Sequence, residues 1–197
     1  HGAHPNYRTE WWYFTGNLST PQGDDYGFQL TLFRSALAAG KAKRPSEWAS
    51  RQVWMGHFAI TDINGESHRA VERYQRGALG LAGARTRPVA VWLDDWRIES
   101  EGEQALFPLT LNARDPDQAM ALSLRLSADK PHVLQGEAGY SRKGANRANA
   151  SRYYSYTRLS ARGDLQWDGR SLDVSGSAWL DREWSTSALD ANQQGWD

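Results

Sequence analysis

Apolar residues recur at every second position through much of the chain. In Tyr26 to Arg34 (YGFQLTLFR), Tyr26, Phe28, Leu30 and Leu32 fall on one face, with Gln29 and Thr31 on the other. Trp54 to Asp62 (WMGHFAITD) sets Phe58 and Ile60 against His57, Ala59 and Thr61. Ala119 to Ser127 (AMALSLRLS) sets Met120, Leu122, Leu124 and Leu126 against Ser123 and Arg125. Arg152 to Ser160 (RYYSYTRLS) is dense in strand formers. The stretches TPQGDD, DINGE, RDPDQ, ARGD and WDGRS read as turns. A period of two with frequent turns predicts an all-β chain, its antiparallel sheet folded into a barrel or a strongly curved sandwich. Two stretches break the rhythm. Ala36 to Gln52, rich in Ala and Lys, reads as a short helix or a long loop, and Gly136 to Ala150 as a long loop. No repeat of fixed period is present.

Composition narrows the function classes. The 197 residues fit one large all-β domain or two small ones. With 23 basic and 23 acidic side chains the formal charge is zero, so the balance that binds polyanions is missing and nucleic acid is not an expected partner. No apolar run approaches the length of a membrane-spanning helix. Cysteine is absent, which removes disulfides, thiolate metal sites and cysteine nucleophiles from this chain. The first residue is His1, and the sequence stops after Gly195, Trp196 and Asp197, which reads as a processed piece of a longer protein. Ten tryptophans and eight tyrosines stand out in an otherwise hydrophilic chain. Large rings with one polar atom suit cavities and interfaces as well as cores.

Few residues present themselves for chemistry. The histidines, His1, His4, His57, His68 and His132, make no metal-ligand spacing, and no metal or cofactor is expected. There is no GxSxG, Walker or GxGxxG motif. Arg142, Lys143, Arg147, Arg152 and Arg158 form a basic stretch that reads as a solvated face or as an anion contact. The acids among aromatics are more specific. In EWWYF, Glu10, Trp12 and Phe14 point one way, and Trp11 and Tyr13 the other. In WLDREW, Trp179, Asp181 and Glu183 share a face. A carboxyl desolvated among rings is raised toward neutrality and can serve as a general acid. The same carboxyl paired with Arg34 or Arg182 is a structural ion pair. His57, mid-strand on a face of small residues, reads either as a structural histidine or as one beside a ligand.

The segments HPNYRTEWWYFTGNL, YGFQLTLFR, GHFAITD, GYSRKG, YYSYTRL and GSAWLDREWS occur in this order. Together they resemble the AttH and carotenoid 1,2-hydratase family, from about His4 to Asp197. The resemblance implies a tandem lipocalin-like fold. On that basis residues 1–184 form the N-terminal β domain, and residues 185–197 begin a linker to a second lipocalin-like domain. It further implies an apolar, isoprenoid- or lipid-like ligand in an aromatic-lined pocket, with Trp11, Trp12, Tyr13, His57, Tyr154, Trp179 and Trp184 as candidate binding residues. The hydratase branch adds water to an acyclic carotenoid alkene without a cofactor. Asp181, with Glu10 nearby, is the expected acid for such a step. Where the hydratase pattern carries a histidine after the aspartate, Arg182 stands here, which places the chain nearer the AttH branch. That branch implies export to the periplasm or envelope and service to an envelope transport system. A non-enzymatic carrier and a carbohydrate-binding module with stacked tryptophans are the competing expectations.

Overall fold

The computed structural model describes residues 1–37, 46 and 48–186. Thirteen strands form one sheet: β1 (Thr9–Ser19), β2 (Asp25–Ala36), β3 (Gln52–Asp62), β4 (Ser67–Arg76), β5 (Ala82–Thr86), β6 (Val89–Leu93), β7 (Trp96–Ser100), β8 (Leu109–Asp115), β9 (Met120–Ala128), β10 (Val133–Leu134), β11 (Tyr140–Arg142), β12 (Ala150–Trp167) and β13 (Arg170–Ser185). Among the described residues there is no helix. The order is β4-β3-β2-β1-β13-β12-β9-β8-β7-β6-β5, antiparallel throughout, and β10 and β11 add to β12 where β9 has ended. The stretch 136–150, expected as a loop, therefore contains a short strand. The expected helix or loop at 36–52 and the expected linker at 185–197 lie largely outside the described residues.

The sheet curls into a nearly closed lipocalin-like barrel whose period-two faces become inside and outside. Phe14, Leu30, Phe58, Leu124, Leu165 and Leu180 point inward and are buried in one continuous core. Trp54, Trp96 and Trp167 are among the largest fully buried side chains, so the barrel is filled by its own residues. The two edge strands, β4 and β5, do not pair with each other. The seam beside β4 is drawn together by side chains. The Arg69 guanidinium lies 4.2 Å over Trp167 and donates to the Gln118 carbonyl at 2.9 Å. Arg73 lies 4.5 Å over Trp96 and donates to the Arg114 carbonyl at 2.8 Å. Charged edge side chains of this kind also keep β4 from adding a foreign strand.

Candidate functional site

The register of β1 between β13 and β2 decides which candidate residues meet. Glu10 lies opposite Trp184 and Arg34, Trp12 opposite Arg182 and Leu32, and Tyr13 opposite Asp181 and Thr31. Glu10, Trp12, Arg34, Arg182 and Trp184 therefore share the inner face. Trp11, Tyr13, Trp179, Asp181 and Glu183 share the outer one. The grouping of alternate residues within each strand holds. The pairing of Asp181 with Glu10 as one acid site does not, because the register puts the two carboxylates on opposite sides of the sheet.

On the inner face Glu10 is wholly buried and fully partnered. Its carboxylate accepts from Arg34 Nε, from Arg182 Nη2 at 2.7 Å, and from the His4 amide at 3.0 Å, with His4 Nδ1 at 3.1 Å. Burial pushes the carboxyl up, but the His4 bond and the Arg182 charge outweigh it and hold the carboxyl down at about 2. Held ionised and tied to two guanidiniums, Glu10 anchors this cluster as an anion, an arrangement that favours the ion-pair reading over that of a proton donor. Its guanidinium partners are in turn held by the N-terminal segment. Arg34 Nη2 donates to the carbonyls of His4 and Tyr7 at 2.9 and 2.8 Å, and Arg182 Nη2 to that of Gly2 at 2.8 Å. Arg182 lies 3.7 Å over Trp12, and His4 stacks on Trp184 at 3.9 Å.

Beside this cluster a hollow of about 500 Å³, widely open to solvent, is lined by His1, Leu106, Phe107 and Tyr156 and by the polar side chains of Gln104, Asp129 and Lys130 among others. Tyr156 meets Phe107 edge to face at 4.8 Å, and Tyr154 at 6.1 Å. His132 stands 5.6 Å from both tyrosines, and Tyr154 is 6.0 Å from Trp184. Burial pushes both phenols above their ordinary range. Of the expected binding residues, Tyr154 and Trp184 belong to this aromatic group. Phe107, His132 and Tyr156 belong to it too, although neither spacing nor resemblance singles them out. The alternation of Tyr154 and Tyr156 in YYSYT is the one sequence signal that points to them.

On the outer face Asp181 is half-buried and accepts from the Ser155 hydroxyl, which in turn accepts from Gln135 Nε2 at 2.9 Å. Desolvation and then the Asp181 charge push the neighbouring Tyr153 phenol up to about 12. Glu183 is buried beneath Lys143 Nζ at 3.0 Å, so one cation of the basic stretch is a structural partner. His57 also lies on this face, edge-on to Phe33 at 5.1 Å, and Phe33 is 6.4 Å from Trp11. Of the described tryptophans only Trp48 is exposed, and Trp11, Trp92, Trp179 and Trp184 are half-buried.

The family model for AttH-like proteins matches residues 1–197. A crystal structure from Nitrosomonas europaea that carries a provisional AttH name is 36% identical, with a TM-score of 0.83 over 97% of this chain and 55% of that one. Kievitone hydratase from Nectria haematococca shares the fold at 14% identity, with a TM-score of 0.65 over 91% of this chain and 48% of that one. This chain thus spans about half the length of either. Among curated proteins no sequence matches. By its sequence over the whole length and by its barrel, the chain belongs to the AttH-like family.

Proposed function

We propose that this domain binds an apolar, isoprenoid- or lipid-like ligand at the aromatic end of the barrel. The observation that carries this is the hollow of about 500 Å³ beside Phe107 and Tyr156. Its volume falls within the ordinary range for a small-molecule site, and its lining is mixed, with Leu106, Phe107 and Tyr156 beside Gln104, Asp129 and Lys130, which suits an apolar body with one polar end. The packed barrel interior leaves the ligand to lie at the end of the barrel and not along its axis.

A second reading is supported by Asp181. It is half-buried, takes a hydrogen bond from Ser155, and sits beside the Tyr153 phenol among Trp11, Tyr13 and Trp179. A carboxylic acid there would donate a proton to an alkene, the rings would stabilise the tertiary cation, and water would add to it and return a proton to the carboxylate. This reading is cofactor-free hydration, and it needs the outer face covered, for which a second lipocalin-like domain of the same protein is the natural occupant. Kievitone hydratase lends the fold to this reading, not a substrate.

One experiment separates the two. Lycopene in detergent is titrated against tryptophan fluorescence, with a detergent blank and an oligosaccharide control, and the mixture is analysed for hydrated product. Saturable quenching that weakens about tenfold in Phe107→Ala and Tyr156→Ala, without product, is the expected result. Product that disappears in Asp181→Asn while quenching persists establishes hydration instead. Quenching that both hollow variants leave unchanged removes the barrel end as the site.

A further inference from the structure

Val133 and Leu134 are the only consecutive pair among the exposed large apolar residues described, at 46% and 51%. They form β10, which pairs with β12 through Ser155 and Tyr154, beyond the end of β9. Lys130 and Pro131, just before them, line the hollow, and His132 stands 5.6 Å from both Tyr154 and Tyr156. Leu134 shares a face with its cross-strand partner Tyr154, and so with Arg152 and Tyr156 on either side of it. The exposed pair therefore stands at the lip of the hollow. Single apolar side chains in water are ordinary; two together at the mouth of a hollow point to a contact surface.

The basic stretch read from the sequence borders this lip. Tyr140 of β11 pairs with Arg152, whose guanidinium lies 5.3 Å over its ring, and the Tyr140 hydroxyl donates to the Arg147 carbonyl. The Asp129 amide donates to the Arg158 carbonyl at 3.2 Å, which brings Arg158 to the start of the same lip. Lys130, Arg142, Arg147, Arg152 and Arg158 are all exposed, and among the described residues none of them pairs with a carboxylate. Lys143 differs, being tied to Glu183. The carboxylates of the segment are Asp129, which accepts from the Ser160 hydroxyl at 2.8 Å, and the exposed Glu137; across the hollow, Glu103 precedes Gln104. In a chain of zero formal charge this lip carries a local positive field.

We propose that the lip formed by β10, β11 and the start of β12 docks on an anionic lipid bilayer, with Val133 and Leu134 entering the headgroup region and the cations lying over lipid phosphates. Each Lys or Arg near an anionic membrane surface contributes about 1 kcal/mol, so these cations attract the domain while the apolar pair orients it. An acidic protein would also satisfy the cations; the apolar pair beside an open hollow favours the bilayer. Docked in this way, the hollow faces the bilayer, and an apolar ligand passes between the two with little exposure to water. The surface stands on its own side chains and rests on the apolar-ligand reading for its purpose alone.

The test is flotation of the full chain with vesicles of phosphatidylcholine alone and of phosphatidylcholine mixed with phosphatidylglycerol, at low and at high salt. Binding is expected to the mixed vesicles only, and to fall as salt rises. Val133→Ser with Leu134→Ser, and separately Arg147→Gln with Arg152→Gln, are each expected to weaken it about tenfold while thermal melts stay at the parent value. Arg162→Gln, which removes an exposed cation of β12 beyond its bulge, is expected to leave it unchanged. A loss in Arg162→Gln as large as that of the arginine pair means unspecific attraction and overturns the docking surface. Flotation unchanged in the Val133 and Leu134 variant overturns the bilayer, and capture by immobilised polyglutamate in that case assigns the strip to an acidic protein. No flotation with either vesicle overturns the surface and leaves the apolar-ligand reading to the lycopene titration. Loss of lycopene quenching with flotation intact overturns that reading alone.

Discussion

At the scale of single residues, Glu10 shows what a carboxylate among tryptophans does here. It is the anchor of a buried cluster of two arginines and the N-terminal segment. The fold holds its carboxyl at about 2, below the ordinary 4.5, so folding favours the ionised form. The resulting stabilisation is complete above about pH 5 and is lost as pH falls from 4.5 through 2. At roughly 1.4 kcal/mol per pH unit it amounts to about 3 kcal/mol. Glu10→Gln is therefore expected to destabilise the protein by about 3–5 kcal/mol at pH 7, because it leaves two buried guanidiniums uncompensated. It should also flatten this group's part of the acid limb in urea titrations between about pH 5 and 2. An unchanged limb would assign the acid sensitivity to other carboxylates. The pairing of Glu10 with Arg34 or Arg182 was one of two readings open to the sequence, and the cross-strand neighbours decided it.

At the scale of strands, the period of two makes the inner and outer residues of β1, β2, β3, β9 and β13 legible in the sequence itself. The relation between strands is not legible there, because parity within a strand carries no information about register. That is why Glu10 and Asp181, each correctly placed among rings, were expected in one site and lie on opposite faces. The strands between Ser67 and Ser100 give little signal; β4 alternates half-buried and exposed residues without an apolar face. Glycine stands where the backbone takes a positive φ or a neighbouring strand comes too close for a Cβ. Gly163 in β12 has φ 152°, pairs with Leu124 and Val174, and a Cβ there would collide with the Ser123 carbonyl. Gly169, in the β12–β13 turn, has φ 75° and open space around it. Gly169→Ala is expected to cost about 1 kcal/mol, from backbone conformation alone. Gly163→Ala adds a backbone clash in the centre of the sheet and is expected to cost about 3 kcal/mol or more. Equal losses in denaturant melts would mean that β9 and β12 can part at Gly163 without disturbing their ladder.

At the scale of the molecule, residues 1–8 are part of the barrel and not an appendage. Four of their carbonyls serve buried donors: His1 accepts from Trp12 Nε1 at 3.1 Å, Gly2 from Arg182, and His4 and Tyr7 from Arg34. The His4 amide donates to Glu10, and His1 lines the hollow beside Tyr156. The segment thus joins the buried charge cluster to the candidate ligand site, and its role is mostly one of backbone. This gives a prediction that separates main chain from side chain. Removing residues 1–5 strips acceptors from both guanidiniums and from Trp12, with an expected loss of about 3–5 kcal/mol and greater quenching of tryptophan fluorescence by acrylamide. Replacing His1 and His4 together by alanine keeps every carbonyl and is expected to cost about 1–2 kcal/mol, chiefly the His4 stack on Trp184 and its bond to Glu10. If the double alanine variant is as unstable as the truncation, the imidazoles and not the carbonyls hold the segment. The hollow would then depend on two side chains, and not on the path of the backbone across the end of the barrel.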